Sequence, residues 1–258
     1  MDGVDALRSI LQDLRIAVSL CTRLPLALAA PVADGEIARA SWALPVAGML
    51  VGLIGAAIYW VAEGLHMPPQ AASVLALAAT VLVTGAMHED GLADTADGLG
   101  GGKTREEKLE IMRDSRIGTF GACALAISLL LRWIAITTFD DPRSVAIALV
   151  VAHSAARAAL PTFMRLVPPA RREGLSSGAG QPPGQSVAIS LALGGLALAG
   201  GLGAGAALAC ALSLSAIAFL FARLALEQIG GQTGDVLGAM EQTSEAAVLL
   251  IAAAHATL

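Results

Sequence analysis

Forty-nine consecutive residues, Gly174–Ala222, contain no Asp, Glu, Lys or Arg. A helix that crosses a bilayer needs about 20 predominantly apolar residues. This one stretch therefore has room for two spans, with the Gly-rich segment Gly200–Gly205 as the turn between them. Other runs share its character. Ala40–Ala62 is uncharged and ends in Tyr59 and Trp60, side chains suited to a membrane interface. Gly64–Met87 follows without a charged residue, and Ile117–Phe139 and Ser144–Met164 are interrupted only by Arg132 and Arg157. Ala246–Leu258 is shorter and leaves a full or half span open. Residues 6–21 place Arg8, Asp13 and Arg15 among Leu, Ile and Val and read as an interfacial helix. Composition agrees: 14% of residues are charged, against about 25% in a soluble domain, too few to coat a water-facing surface. The expected fold is all-α, a polytopic transmembrane bundle of about six to seven spans with an interfacial N-terminal helix. Residues 1–258 form a single integral membrane domain.

The formal net charge of −5 argues against nucleic acid as a partner. Cys21, Cys123 and Cys210 are far apart in the chain, so no disulfide framework or Cys zinc site is expected. Asp2 and Asp5 stand where a secretory signal would be basic, so the first spans are expected to direct insertion. Lys and Arg alternate along the chain. Arg8, Arg15, Arg23 and Arg39 precede the first span, and the loop after it has none. Lys103, Arg105, Lys108, Arg113 and Arg116 fill the next loop, Arg143 alone the following one, and Arg165, Arg171 and Arg172 then cluster. By the positive-inside rule the N-terminus and the loops at about 88–118, 165–186 and 227–244 face the cytoplasm. Small residues such as Gly48 and Gly52, four apart, suit close helix packing in lipid.

His88–Gly98 is the most informative stretch. Asp90, Asp94 and Asp97 fall at i, i+4 and i+7, on one face of a helix. Stacked carboxylates repel unless a cation lies among them, and no Lys or Arg sits at i±4. Hard cations such as Mg²⁺ take oxygen ligands and bridge to phosphates. Glu89, about a third of a turn away, is a weaker ligand. The competing reading is a solvated acidic helix start, disfavoured because unpaired acids at a membrane boundary need a partner. The Gly98–Gly102 run frees backbone N–H groups for a phosphate, although it is not a Walker A loop. Thr104 and Glu107 form a candidate capping box. Lys103, Arg113 and Arg116 are candidate phosphate clamps, while Arg105 and Lys108 read as topology charge. Asp235, in a Gly-rich turn after Thr233, could orient a metal-bound water or a substrate hydroxyl, or could be ordinary turn chemistry. Arg157 and Arg223 lie in cytoplasmic halves of spans, within reach of a phosphate. Arg132 reads as snorkelling outward, and His153 as a helix–helix hydrogen-bond partner.

Cys21–Pro25, Leu44–Gly48, His88–Gly98, Ile111–Gly121 and Thr233–Ala239, in this order, resemble the cobalamin synthase family. Glu89 departs from its pattern, which has an apolar residue there. The resemblance implies an inner-membrane enzyme with a cytoplasmic site that needs Mg²⁺. It joins α-ribazole, or its 5′-phosphate, to adenosylcobinamide-GDP and releases GMP. It implies metal ligation by Asp90, Asp94 and Asp97, with Glu89 a further candidate from its position alone, and proton transfer by Asp94, Asp97 or Asp235. Lys103, Arg113, Asp114, Arg116, Arg157 and Thr233 would contact substrate. Membrane lipid is an expected partner, and homo-oligomer formation stays open. Two rivals are a CDP-alcohol-type phosphotransferase, whose full D-x-x-D-G-x-x-A-R pattern is absent, and a cation-coupled transporter, which would hold its acids at mid-span.

Overall fold

A computed structural model describes residues 3–26, 32–33, 35–171 and 178–256. Arg172, the first residues of the Gly174–Ala222 run and the last two of the chain lie outside the described residues. All regular structure among the described residues is helical: α1 (Gly3–Cys21), α2 (Glu36–Ala40), α3 (Leu44–Gly64), α4 (Pro69–Thr84), α5 (Met87–Gly101), α6 (Arg105–Ile111), α7 (Thr119–Thr137), α8 (Pro142–Ala158), α9 (Leu160–Leu166), α10 (Gly184–Ile229) and α11 (Gly234–Ala256). Among the described residues five helical segments are long and apolar enough to cross a membrane, and a sixth span is made if the bent pair α4–α5 counts as one. The protein is thus an all-α, multi-pass membrane protein.

The 46-residue α10 is broken at Gly203, whose φ of 77° and ψ of 169° are not helical. A straight helix of that length would separate its ends by about 69 Å. Here both ends return to one side of the bundle. Pro182, just before α10, accepts a bond from Arg165, and Gln232, just after it, accepts one from Ala170. The chain therefore reverses at the Gly-rich segment, as its composition predicts.

Two expectations are corrected. The 227–244 segment is not a loop: α11 begins at Gly234 and carries Ala246–Ala256 as the outer half of one 23-residue helix. The Gly64–Met87 run is not one span either. It breaks at Gly85 and Ala86, both with positive φ, and α4 meets α5 at 87°. Gly85 is required there because a Cβ would collide with the Arg23 side chain. Ala86 at φ 58° is the strained partner in that bend.

Gly48 and Gly52 pack α3 directly on the α8 backbone, where a Cβ would run into His153 and Val150. This is the close approach expected of small residues in lipid. Gly194 and Gly201 likewise meet α8, whereas Gly195, Gly200 and Gly205 face open space. α1 docks through Asp13, which accepts bonds from Arg39 and from the Trp42 indole, both at about 3 Å. Its other face leaves Leu7, Ile10 and Leu11 exposed.

A buried network of ionisable side chains joins α5, α7, α8 and α11. Arg132 donates to Glu89 at 3.3 Å and to Glu245 at 3.0 Å. Arg157 stands 2.6 Å from Glu241 and donates to the His153 carbonyl. His153 Nδ1 lies 2.8 Å from Glu245, and Gln242 donates to Glu241. Arg132, Arg157, Glu241 and Glu245 are fully buried. Arg132 therefore does not snorkel: its guanidinium points inward because two carboxylates compensate it. Removing one partner of such a pair leaves an uncompensated charge, a loss of about 3–5 kcal/mol. Glu245→Leu should lower the thermal midpoint of the purified protein sharply. Arg132→Met should cost at least as much, because it strips both Glu89 and Glu245 of their guanidinium. A single variant that melts with the wild type would show that these pairs do not hold the helices together.

Candidate functional site

α5 and α11 cross at Gly91 and Gly238. A Cβ on Gly91 would meet the backbone of Asp235 and of Gly238, so two glycines let the helices touch. That contact sets the acidic face of α5 beside the first turn of α11. Thr233 caps α11: its hydroxyl accepts from the Val236 N–H and donates to the Asp235 carboxylate at 3.1 Å. It therefore orients Asp235. Asp94 lies within electrostatic reach of Asp90, Asp235 and Asp97. Asp90 is exposed and Asp94 half-buried. Their side chains have no hydrogen-bond or ion-pair partner among the described residues.

Asp97 is engaged elsewhere. Its two carboxylate oxygens accept the N–H groups of Gly118 at 2.7 Å and Gly121 at 2.9 Å, fixing the start of α7 to α5. Negative charge is favoured at that helix start. Glu89 leaves the acidic face for Arg132, a correction to its place among metal ligands: the hundred-degree step from Asp90 turns it into the bundle. Arg157 is corrected too. Its ion pair with Glu241 and its full burial keep it from the cavity where a phosphate would bind. Arg223 is exposed and paired with Glu227. Asp114 and Arg116 pair with each other at 2.6 Å on the surface, which holds the Asp114 carboxyl below its ordinary range.

Lys103 and Arg113 are exposed, and their side chains have no bonding partner among the described residues. The Gly98–Gly102 run is not a free loop. α5 continues through Gly101, and Gly98 and Gly100 pack against Met112 and Phe120. Thr104 and Glu107 do form the capping box. Arg105 and Lys108 are more than topology charges: Arg105 bonds the carbonyls of Ile229 and Ala170, and Lys108 those of Leu99 and the Gln228 side chain.

Sequence reading missed Arg171 as a site residue. The backbone of residues 168–170 pairs with Gln232 through two 2.8 Å bonds. Gly231 permits it, since a Cβ there would strike the Pro168 carbonyl. This short bridge sets Arg171 against Asp235, 3.5 Å away. Its Nε and Nη2 are buried and make no hydrogen bond among the described residues. Burial lowers the Arg171 pKa from its ordinary value, with Asp235 opposing and Arg113 adding to the effect. Asp90, Asp235, Arg171, Thr233, Gln232 and His88 line one cavity of about 360 Å³. No signal in the sequence could separate Arg171 from the other loop arginines. Glu241 and Glu245 were also missed, although two arginines inside apolar runs call for buried acids nearby.

His153, Glu241 and Glu245 are the one group, among the described residues, whose ligand atoms all lie within 4.8 Å of one another. Arg132 and Arg157 already compensate them, so a dication would be repelled. The acids of α5 and α11 form the more open set, with hard oxygen donors and a single guanidinium beside them. That arrangement can hold a hydrated cation next to phosphate oxygens.

No solved structure matches the chain. Residues 13–253 match the family described as cobalamin-5-phosphate synthase. A protein of Bradyrhizobium diazoefficiens named adenosylcobinamide-GDP ribazoletransferase is 60% identical, over 98% of this chain and 97% of its own. Proteins of the same name from Mesorhizobium japonicum and Ralstonia nicotianae are 52% and 41% identical, each over 95% of this chain and 94% and 96% of their own. The family match over almost the whole length, joined to the helical bundle around the acidic face, places this chain in the cobalamin-5-phosphate synthase family, as a transferase of the final assembly of cobalamin.

Proposed function

We propose that the protein joins α-ribazole, or its 5′-phosphate, to adenosylcobinamide-GDP with release of GMP, in a Mg²⁺-dependent reaction at the cytoplasmic face of the bacterial inner membrane. One observation carries the reading: two carboxylates without partners among the described residues, Asp90 and Asp94, stand near the Asp235–Arg171 ion pair, whose buried guanidinium makes no hydrogen bond through Nε or Nη2. The donor set fits a hard dication. Asp90, Asp94 and Asp235 would hold it, leaving room for its waters and a phosphate. Mg²⁺ bound there would draw off the charge that develops on phosphate oxygens during transfer.

The chain's own residues supply the rest. Arg171, ion-paired with Asp235 through Nη2, keeps Nε and Nη2 without hydrogen bonds among the described residues and can turn them on an anionic oxygen. Arg113, close enough to Arg171 to act on its charge, adds positive charge beside it, and Lys103 is a further exposed cation of the same cytoplasmic segment. The acceptor's 5′-oxygen is already esterified in the phosphorylated substrate, so a ring hydroxyl must attack. Asp235, steadied by Thr233 and lining the cavity, or Asp94, within electrostatic reach of it, takes its proton. Asp97 acts indirectly, by tying α7 to the acidic helix. The partnered acids of the bundle interior have their own counter-charges, which weighs against a cation-coupled transporter. A CDP-alcohol is the competing substrate, and an assay with both donors separates the readings.

Purified protein with adenosylcobinamide-GDP and α-ribazole should release GMP only with Mg²⁺, and none from a CDP-alcohol. Absence of GMP release with Mg²⁺ present would sink the assignment. Asp94→Asn should lower turnover at least about a hundredfold and raise the Mg²⁺ requirement, as loss of charge stabilisation predicts. Glu89→Gln should leave the Mg²⁺ requirement unchanged and instead lower thermal stability. Equal Mg²⁺ titrations for wild type and Asp94→Asn would remove the acidic face from the reaction. A Cys placed at 103–108 in a Cys-free background should label only from the cytoplasmic side. Labelling from outside intact cells would reverse the topology.

A further inference from the structure

The cavity that holds Asp90, Asp235 and Arg171 has a second, chemically different wall. Leu20 of α1, Ile37 of α2, Leu44 of α3, and Leu160 and Met164 of α9 line it. Leu44, Leu160 and Met164 are buried. The one hydroxyl on this side, that of Ser41, already donates to the Ala38 carbonyl at 2.8 Å. α1 closes the wall because Asp13 pins it to Arg39 and Trp42. The cavity is therefore two-faced: charged where α5, α11 and Arg171 meet, apolar and poor in free donors where α1, α2 and α9 meet. Its volume falls at the lower end of small-ligand sites.

We infer that the apolar wall is the subsite for the aromatic base of the nucleoside acceptor. The inference rests on the proposed reaction, which brings three candidate groups to the site. Guanine presents several N–H and carbonyl edges, and the corrin carries amide arms. Each polar group buried without a partner costs about 1–3 kcal/mol, and this wall has only the Ser41 oxygen, as an acceptor, left to meet one. The ribazole base is a dimethylbenzimidazole. Once joined to ribose it has no N–H, one free ring nitrogen and two methyl groups. Of the three it alone can be desolvated on such a wall with a net gain. An acyl chain would match the wall and gain nothing from Asp235 and Arg171. A nucleoside spans both faces: the ring lies on the leucines and the ribose hydroxyls reach the carboxylates.

The test measures equilibrium binding of α-ribazole and of the unsubstituted benzimidazole α-riboside to the detergent-solubilised full chain. The wild type should bind α-ribazole roughly tenfold more tightly, as expected from burying two methyl groups. Ile37→Trp, which fills the wall, should weaken α-ribazole binding at least about tenfold, while KM for adenosylcobinamide-GDP stays within about twofold. Equal affinity of the wild type for the two nucleosides would overturn the inference, and this comparison needs no variant to fold. A rise in the KM for adenosylcobinamide-GDP alone would assign the wall to the other substrate and overturn it as well. So would displacement of α-ribazole by added phospholipid with no discrimination between the two nucleosides. Binding is read without turnover, so absence of GMP release bears on the reaction and leaves the wall separately decided.

Discussion

Charge compensation inside an apolar bundle is the constraint on which the rest of this structure depends. Water is absent from the hydrocarbon region, and a charge there must meet its partner in protein. Arg132 and Arg157 come from α7 and α8, and their acids Glu89, Glu241 and Glu245 from α5 and α11. No two helices alone can satisfy this set. Four must assemble at once, at one depth and in one register. Apolar packing between helices and lipid is nearly neutral by comparison, so the ionic network specifies the arrangement more sharply than the leucines do.

The network sits directly behind the site. Glu89 is the chain neighbour of Asp90, and Glu241 lies less than two turns from Asp235. Fixing the first of each pair leaves the second little freedom. The 87° bend at Gly85–Ala86 then makes sense as a device of position. It starts α5 within the bundle with its early residues turned inward, where they find Arg132 and Arg157. The later residues, Asp94 onward, emerge toward α6. Broken helices at membrane depth persist only where protein satisfies the freed backbone. Here Arg23 occupies the space over Gly85, with its N–H bonded to the Val83 carbonyl.

Much of the fold was legible because charge-free length is a direct readout of bilayer thickness. The reversal in α10 followed from length and glycine together. α11 was misread because averaging over its first half counts Asp235, Glu241 and Glu245 as signs of water, when two of them are neutralised by arginines over eighty residues away in the chain. The site divides the same way. Asp90 and Asp94 were legible from a four-residue spacing. Asp97 obeys the same periodicity, yet its chemistry is set by Gly118 and Gly121, and no local pattern shows that a carboxylate will meet a helix start twenty residues on. Arg171 depends on a two-bond bridge to Gln232, a contact between segments with no shared pattern. Spacing found what one helix decides, and missed what two helices decide together.

The two acid clusters among the described residues differ in how their charge is settled. The inner cluster brings its own cations, and its members are enclosed, so its charge is settled before any ligand arrives. The outer cluster sets Asp90, Asp94 and Asp235 against Arg171 alone. Two negative charges remain uncompensated at the edge of a low-dielectric body, where screening by water is partial. Such a site favours a dication, and under the proposed reading the cation is what makes an anionic diphosphate acceptable there. The diphosphate then adds negative charge of its own. Under that reading Arg113, beside Arg171, and Lys103, both without side-chain partners among the described residues, are the groups left to meet it. The same residues would be wasteful as mere topology markers if they had been paired, as Arg105 and Lys108 are. Their free donors, like the free carboxylates behind them, mark where the protein leaves its electrostatics to be completed by substrate.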